Sequence, residues 1–267
     1  MKLKLLNKDK QNLKCRFELS GIEYWFINTI RRMIVEEVPV LAIEDVEFIK
    51  NQSALYDEII AHRLGLLPLK TDFKTLNLRE ECSCSGKGCA LCQVTYTLKE
   101  KGPKTVYASS LKVVGSNAIP VYPKMPIIKL EKGQELELKA VAIMGKGKVH
   151  VKWSPGLVYY QYYPIIKIDN SKCKPEEAKK YVDACPRSVL TLKNNKLVVD
   201  EKKLLNCHLC GACVDACSNG CVSILHDETH HLFTVESWGQ LSCTEIVLKA
   251  AEIFENKLNE LATLIKS

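Results

Sequence analysis

Two stretches, one toward each end of the chain, carry apolar residues at helical spacing. In GIEYWFINTIRRMIVEEVPV, residues 21–40, Ile22, Phe26, Ile30, Met33 and Ile34 recur on one face, and Pro39 marks the end. Arg31 and Arg32 fall on the other side, as a solvated face or a contact to a partner; helical periodicity by itself favours the solvated face. Near the C-terminus, Ser242 and Glu245 form an S-x-x-E capping box, and Ile246, Ala250, Ile253, Phe254, Leu258, Leu261 and Ile265 line a stripe. A helix from Cys243 to Leu264 runs about 33 Å at 1.5 Å per residue. Long apolar helices at both ends predict that the termini meet and offer a helical surface to another subunit.

Between and before them the period shortens to two. LKLLN and NLKCRFELS read as strands, as do AIEDVEFIK, CQVTYTLKEK, TVYASSLKVV, ELELKAVAIM, KVHVKWS and LVYYQYYPIIKI. YDEIIAHRLGLLPL predicts a short helix ending near Gly65 or Pro68. MGKGKVH lacks the order of a phosphate loop and reads as a hairpin turn. The fold class is α+β, and a length of 267 residues suits about two domains.

Composition adds little. Hydrophobic content of 46% and charged content of 26% are ordinary globular values, so the chain needs no staples to fold. The net charge of +7 is spread without a basic block, so it does not call for direct DNA contact. No apolar run has the length of a membrane span, and MKLKLLNKDK turns polar too early for a signal peptide, so a cytoplasmic protein is expected. Thirteen cysteines in such a protein point to metal before disulfides.

The cysteines fall in two clusters. ECSCSGKGCALCQ, residues 81–93, gives Cys82, Cys84, Cys89 and Cys92, with Gly86 and Gly88 allowing a tight reversal between the pairs. Four thiolates on one loop suit a closed, structural zinc site; two disulfides or reduced thiols are the alternatives. The second cluster, Cys207, Cys210, Cys213 and Cys217, reads CxxCxxCxxxC, the spacing of a bacterial-type ferredoxin, with Ser218 where a proline usually follows.

VDAC occurs at 182–185 and again at 214–217, each copy followed by a strand–turn–strand pattern. The turns fall at Asn194–Asn195 and at 226–229, within a polar HDETHH run that reads as a hairpin turn rather than a metal site. Shifted back by the repeat, Cys207, Cys210 and Cys213 land on Pro175, Ala178 and Tyr181, none of which binds iron. In two-cluster ferredoxins the last cysteine of one half ligates the cluster of the other. Cys185 is therefore expected to complete one iron–sulfur cluster with Cys207, Cys210 and Cys213, as a 4Fe-4S cube or, with a ligand lost, a 3Fe-4S cluster; a zinc site or a decayed, metal-free fold is the alternative. Cys173, Cys217 and Cys221 are left over, the last two as free thiols or a disulfide. An electron carrier or redox sensor is the rival function, though no dinucleotide, flavin or haem signature accompanies the cluster.

Residues 21–69, GKGKVHVKWSPGLVYYQYYP at 145–164 and FTVESWGQLSCTEIVLKAAEIF at 233–254 together resemble the alpha-like subunits of multisubunit RNA polymerases, in the archaeal form with a ferredoxin-like insert. The resemblance implies a discontinuous dimerisation domain, 1–45 plus 227–267, a mainly-β insert domain, 46–165, carrying the cysteine loop, and a ferredoxin-like domain, 166–226. It implies pairing with a smaller alpha-like subunit, L in archaea, through the two helices, and a platform for the two large subunits. Ile22, Phe26, Ile30, Ile253, Leu258 and Leu261 are the expected apolar contacts, and Arg31, Arg32, His62 and Arg63 the polar ones. The 82–92 loop resembles a zinc loop of eukaryotic relatives. No run of carboxylates suits a magnesium-dependent nucleotidyl-transfer centre, so a non-catalytic subunit is expected.

Overall fold

The computed structural model describes residues 1–267 apart from Ser116, Ser218 and Ser267, and the side chains of all described residues but Val114 and Pro175. Its strands are β1 (Lys2–Lys8), β2 (Lys14–Ser20), β3 (Val40–Asn51), β4 (Gln93–Lys101), β5 (Lys104–Tyr107), β6 (Lys112–Val114), β7 (Pro126–Leu130), β8 (Glu135–Gly145), β9 (Gly156–Ile168), β10 (Leu190–Lys193), β11 (Lys196–Val199) and β12 (Val222–Ser237). The α-helices are α1 (Tyr24–Arg32), α2 (Asp57–Gly65), α3 (Pro175–Asp183), α4 (Ala212–Asp215) and α5 (Cys243–Lys266). The fold is α+β. The strands form two four-stranded sheets, ordered β1-β2-β12-β9 and β3-β8-β4-β6, and two ribbons, β5-β7 and β10-β11. By density of contacts the chain divides into one compact unit of residues 1–6, 16–28 and 159–234, and another of 7–15, 29–158 and 235–267.

The larger unit is built on the β3-β8-β4-β6 sheet. β8 alternates strictly, so Leu136, Leu138, Ala140, Ala142 and Met144 all face inward. β4 pairs with it antiparallel, setting Tyr96 opposite Ala140, and Tyr96 donates its hydroxyl proton to the Ala118 carbonyl. β3 pairs with the other edge of β8 through two bulges, at Ile43/Asp45 and Phe48/Lys50. Ile60 and Leu64 of α2, one turn apart, close the core over this sheet.

α5 begins as its sequence predicts. The Ser242 N–H and hydroxyl both donate to Glu245 Oε2, at 2.8 and 2.6 Å, while the Glu245 N–H donates to the Ser242 hydroxyl at 3.3 Å. Cys243, Ile246 and Ala250 are buried, Ile253 and Phe254 half-buried, and from Glu255 onward every described residue of the helix is exposed.

Several expectations need correction. The first helix starts at Tyr24, so Ile22 lies before it, and its buried member is Ile27, with Phe26 and Ile30 half-buried. The helix then widens into a π-helical segment, Met33–Glu37, closed by the Val38 N–H on the Met33 carbonyl at 3.2 Å. Ile34 and Val38, four residues apart, are both fully buried. KVHVKWS is no strand: a turn follows β8, and Val151–Trp153 is a 3₁₀ turn that His150 caps by accepting the Lys152 N–H at 3.1 Å. MGKGKVH is therefore a turn but not a hairpin. TVYASSLKVV splits into β5 and β6 around a 3₁₀ turn.

The turn expected at 226–229 is also absent. β12 runs unbroken through HDETHH because it lies between β2 and β9 in its sheet, which occupies both of its edges; His226, Asp227 and Glu228 are exposed and His231 is buried. The first half of the expected repeat does form: α3 is followed by the β10-β11 hairpin, turned by Asn194 and Asn195 at φ of 50° and 58°. The second half has only the four-residue α4 and then β12, with no hairpin of its own. Ser218, noted in the cysteine run, lies outside the described residues.

Candidate functional site

The first thiol cluster sits on the loop between the Arg79–Glu81 turn and β4. Both ends of the loop are tied to the larger unit: Asn77 N–H donates to the Leu91 carbonyl at 2.8 Å, and the Arg79 guanidinium donates to the Gln93 amide oxygen at 3.1 Å. Gly86 and Gly88 take φ of +78° and +89°, which reverses the chain between the two cysteine pairs. The sulfurs then converge. Cys82–Cys84 is 3.5 Å, Cys82–Cys89 3.6 Å, Cys84–Cys92 3.6 Å and Cys89–Cys92 3.9 Å. Four sulfurs at about 2.3 Å from a tetrahedral zinc ion stand about 3.8 Å apart, so the donor set fits that ion.

Electrostatics within the loop favours a cation too. Burial acts to raise Cys84, but hydrogen bonds from Cys82, the Gly88 backbone, Cys92 and Cys89 outweigh it and bring the thiol down to about 6. Burial and the neighbouring thiols push Cys92 up to about 12. Four thiols this close lose all their protons only with a positive centre among them.

The second cluster lies in the smaller unit. Cys185, Cys207, Cys210 and Cys213 line one cavity with Pro186, His208 and Ile224 among its walls. Leu209 and Gly211, at φ of 58° and 80°, curl the chain so that Cys207, Cys210 and Cys213 face a common space. Two tethers hold the approach to Cys207: Arg16 donates to the Leu205 carbonyl at 2.6 Å, and Gln161 donates to the Cys207 carbonyl at 3.3 Å. Burial, and the nearness of the other thiols, push Cys207 and Cys213 up. The positions of a second cluster are filled by packing, since Ala178 and Tyr181 are fully buried and the Tyr181 hydroxyl donates to Glu177 at 2.6 Å. Cys217 and Cys221 are joined as a disulfide, and Cys173 is half-buried.

The expected partner residues fall at separate places. Phe26, Ile30 and Arg31 are half-buried on α1, and Arg32 is exposed in a pair with Glu36 at 3.0 Å. His62 is exposed, whereas Arg63 donates to the Ile127 carbonyl at 2.6 Å, so it also holds the unit's own backbone. Ile253 is half-buried; Leu258 and Leu261 are 49% and 53% exposed, and Ile265, about four turns beyond Ala250, the last buried residue of α5, is 76% exposed. Sequence reasoning missed the exposed Tyr56, Ile59 and Leu66 on and beside α2. Their spacing of three and seven residues puts them on one helical side, a signal present in the sequence. Among the described residues no helix is long and apolar enough to cross a membrane.

A family model described as the RNA polymerase Rpb3/RpoA insert domain matches residues 43–169. Relatives named DNA-directed RNA polymerase subunit Rpo3 match nearly the whole chain. The protein of Methanosphaera stadtmanae is 36% identical over 97% of each chain, and that of Methanothermobacter thermautotrophicus 39% identical over 96% of each. The Archaeoglobus fulgidus relative is 35% identical over 97% of this chain and 96% of its own. These matches correct the function expected from the second cysteine cluster. All are named as polymerase subunits and none as an iron–sulfur or electron-transfer protein, so a function built on an iron–sulfur cluster, whether as the mark of the subunit or as a redox activity, does not stand.

Proposed function

Because this chain belongs to the Rpo3 family of DNA-directed RNA polymerase subunits, we propose that it serves as an assembly platform that pairs with a smaller alpha-like subunit before the large subunits join. The family makes it a non-catalytic component of a nucleotidyltransferase complex. The observation that supports pairing is the division of α5. Its first turns bury Cys243, Ile246 and Ala250, while the same apolar stripe continues through Leu258, Leu261 and Ile265 in the open. A stripe that stays apolar for about four turns beyond its own core matches a partner helix better than it matches water. Phe26 and Ile30 are proposed as further contacts, with Arg31, Arg32 and His62 at the edge of the interface.

Co-expression with a small alpha-like subunit tests the pairing. The two should elute together in size exclusion, and Leu258→Glu with Leu261→Glu should release the partner while leaving this chain folded. Co-elution that survives both substitutions would remove α5 from the interface.

As a cofactor we propose zinc, held by Cys82, Cys84, Cys89 and Cys92 as a closed structural site that fixes the loop on β4. Cys185, Cys207, Cys210 and Cys213 are proposed separately as a thiolate site for a soft metal centre, with no function attached. Quantifying zinc, iron and sulfide in protein purified without oxygen tests both, and a metal-free preparation that folds and assembles normally would remove both.

A further inference from the structure

His231 of β12 is fully buried in the smaller unit, and its two ring nitrogens have opposite surroundings. Nε2 lies 3.1 Å from the Ile22 carbonyl and 2.9 Å from the Glu228 carbonyl. Carbonyl oxygens only accept, so Nε2 carries the proton and donates to both. Nδ1 is therefore the bare nitrogen, and it is buried with no hydrogen-bond partner. The ring is walled by Tyr160 and Tyr162 of β9, with centroids 6.0 and 5.1 Å away. Tyr162 in turn packs on His226 at 4.4 Å.

The Ile22 carbonyl that His231 grips belongs to the segment leading into α1. The Ile22 N–H donates to the Thr229 carbonyl of β12 at 3.2 Å, so backbone and imidazole together clip this segment to the strand. Tyr24 and Trp25 follow at once, 50% and 59% exposed.

We propose that His231 is a proton-sensitive latch: neutral, it holds residues 22–28 on β12, and protonated, it releases them. A second proton would enter at Nδ1, where a new N–H finds no acceptor in a site walled by rings. The charged and titratable groups around the ring do not supply one. Asp227 attracts the cation, but it is exposed and its Oδ1 is taken by the Thr229 N–H and hydroxyl, both at 2.8 Å, and no bond joins it to the ring. His230 opposes the charge and is itself paired with Glu18 at 3.0 Å. Glu228 contributes its carbonyl, and Glu23 and Tyr24 lie toward Tyr162. Burial, first, and the repulsion of His230 keep the imidazole below its ordinary value. A histidine depressed by folding contributes stability above about pH 6.5 that is lost as pH falls below it.

Hydrogen exchange of the full chain, read at residues 20–28 from about pH 8 to about pH 5 and corrected for intrinsic rates, tests the latch. Protection of the Ile22 N–H should fall about tenfold over the acid half of that range. In His231→Gln, whose amide donates without titrating, that fall should vanish. Protection that holds steady in the unmodified chain, or an identical fall in His231→Gln, overturns the proposal. Should the variant fail to fold, ¹⁵N-imidazole spectra of the unmodified chain decide: an Nε2–H tautomer titrating below about pH 6.5 supports the latch, and an Nδ1–H tautomer overturns it. The latch rests on geometry within this chain. If residues 22–28 also touch the small subunit, as the proposed pairing has it, acid should weaken that complex as well; exchange in the isolated chain reads the latch even if the pairing reading fails.

Discussion

Lys257 of α5 donates a hydrogen bond to Glu37 at 2.9 Å, and Lys146 approaches the other carboxylate oxygen at 3.6 Å. Glu37 is 5% exposed and ends the π-helical segment, so this pair ties the middle of α5 to the segment that follows α1. Burial acts to raise the Glu37 carboxyl, but the two lysines outweigh it and hold it below the usual carboxylate range. Its contribution is therefore present above the unfolded value and lost as pH falls below about 4.5. Lys257→Ala should cost about 1–3 kcal/mol at neutral pH, because it leaves a buried carboxylate short of a partner. In Glu37→Gln, urea unfolding should show a shallower loss of stability between about pH 5 and about pH 3 than in the unmodified chain.

Ser242→Ala removes one side of the reciprocal cap on α5. The expected loss is about 1 kcal/mol, read as a lower midpoint in thermal unfolding. Glu245→Ala should give a similar loss, and the double variant less than the sum, since each group serves the other.

Leu258→Glu and Leu261→Glu should separate stability from assembly. Both side chains are about half exposed, so the free energy of urea unfolding of the chain alone should change by no more than about 0.5 kcal/mol. Co-elution with the small subunit should be lost.

Cys84→Ser tests the proposed zinc site at the thiol that its neighbours bring down to about 6. The expected outcome is loss of about one zinc ion per chain and proteolytic cleavage within residues 82–92, with the β3-β8-β4-β6 core intact. Because thiols must lose their protons to bind, zinc should also leave the unmodified chain as pH falls.

The parts of the fold written in local pattern were legible. Alternation in ELELKAVAIM gave β8 its inward row, the S-x-x-E box placed the start of α5, and the paired asparagines placed the β10-β11 turn. Long-range partners decided the rest. HDETHH has the composition of a turn, yet it is strand because neighbours occupy both its edges, and no window of sequence contains those neighbours. The π-helical segment escaped for a related reason: a 3.6-residue template has no place for an extra residue in one turn. At the sites, cysteine spacing indicated which thiols converge on the 82–92 loop, and the structure brings all four within 4.8 Å. His231 gave no such signal, because its role depends on a carbonyl 209 positions away in the chain.

Leu258, Leu261 and Ile265 also bear on what becomes of a copy made in excess. An uncovered strip of this kind is what chaperones hold and proteases sort, and it promotes clumping as concentration rises. The lifetime of a newly synthesised chain is then set by how soon something shields the last turns of α5, and surplus molecules become a burden on quality control rather than a reserve.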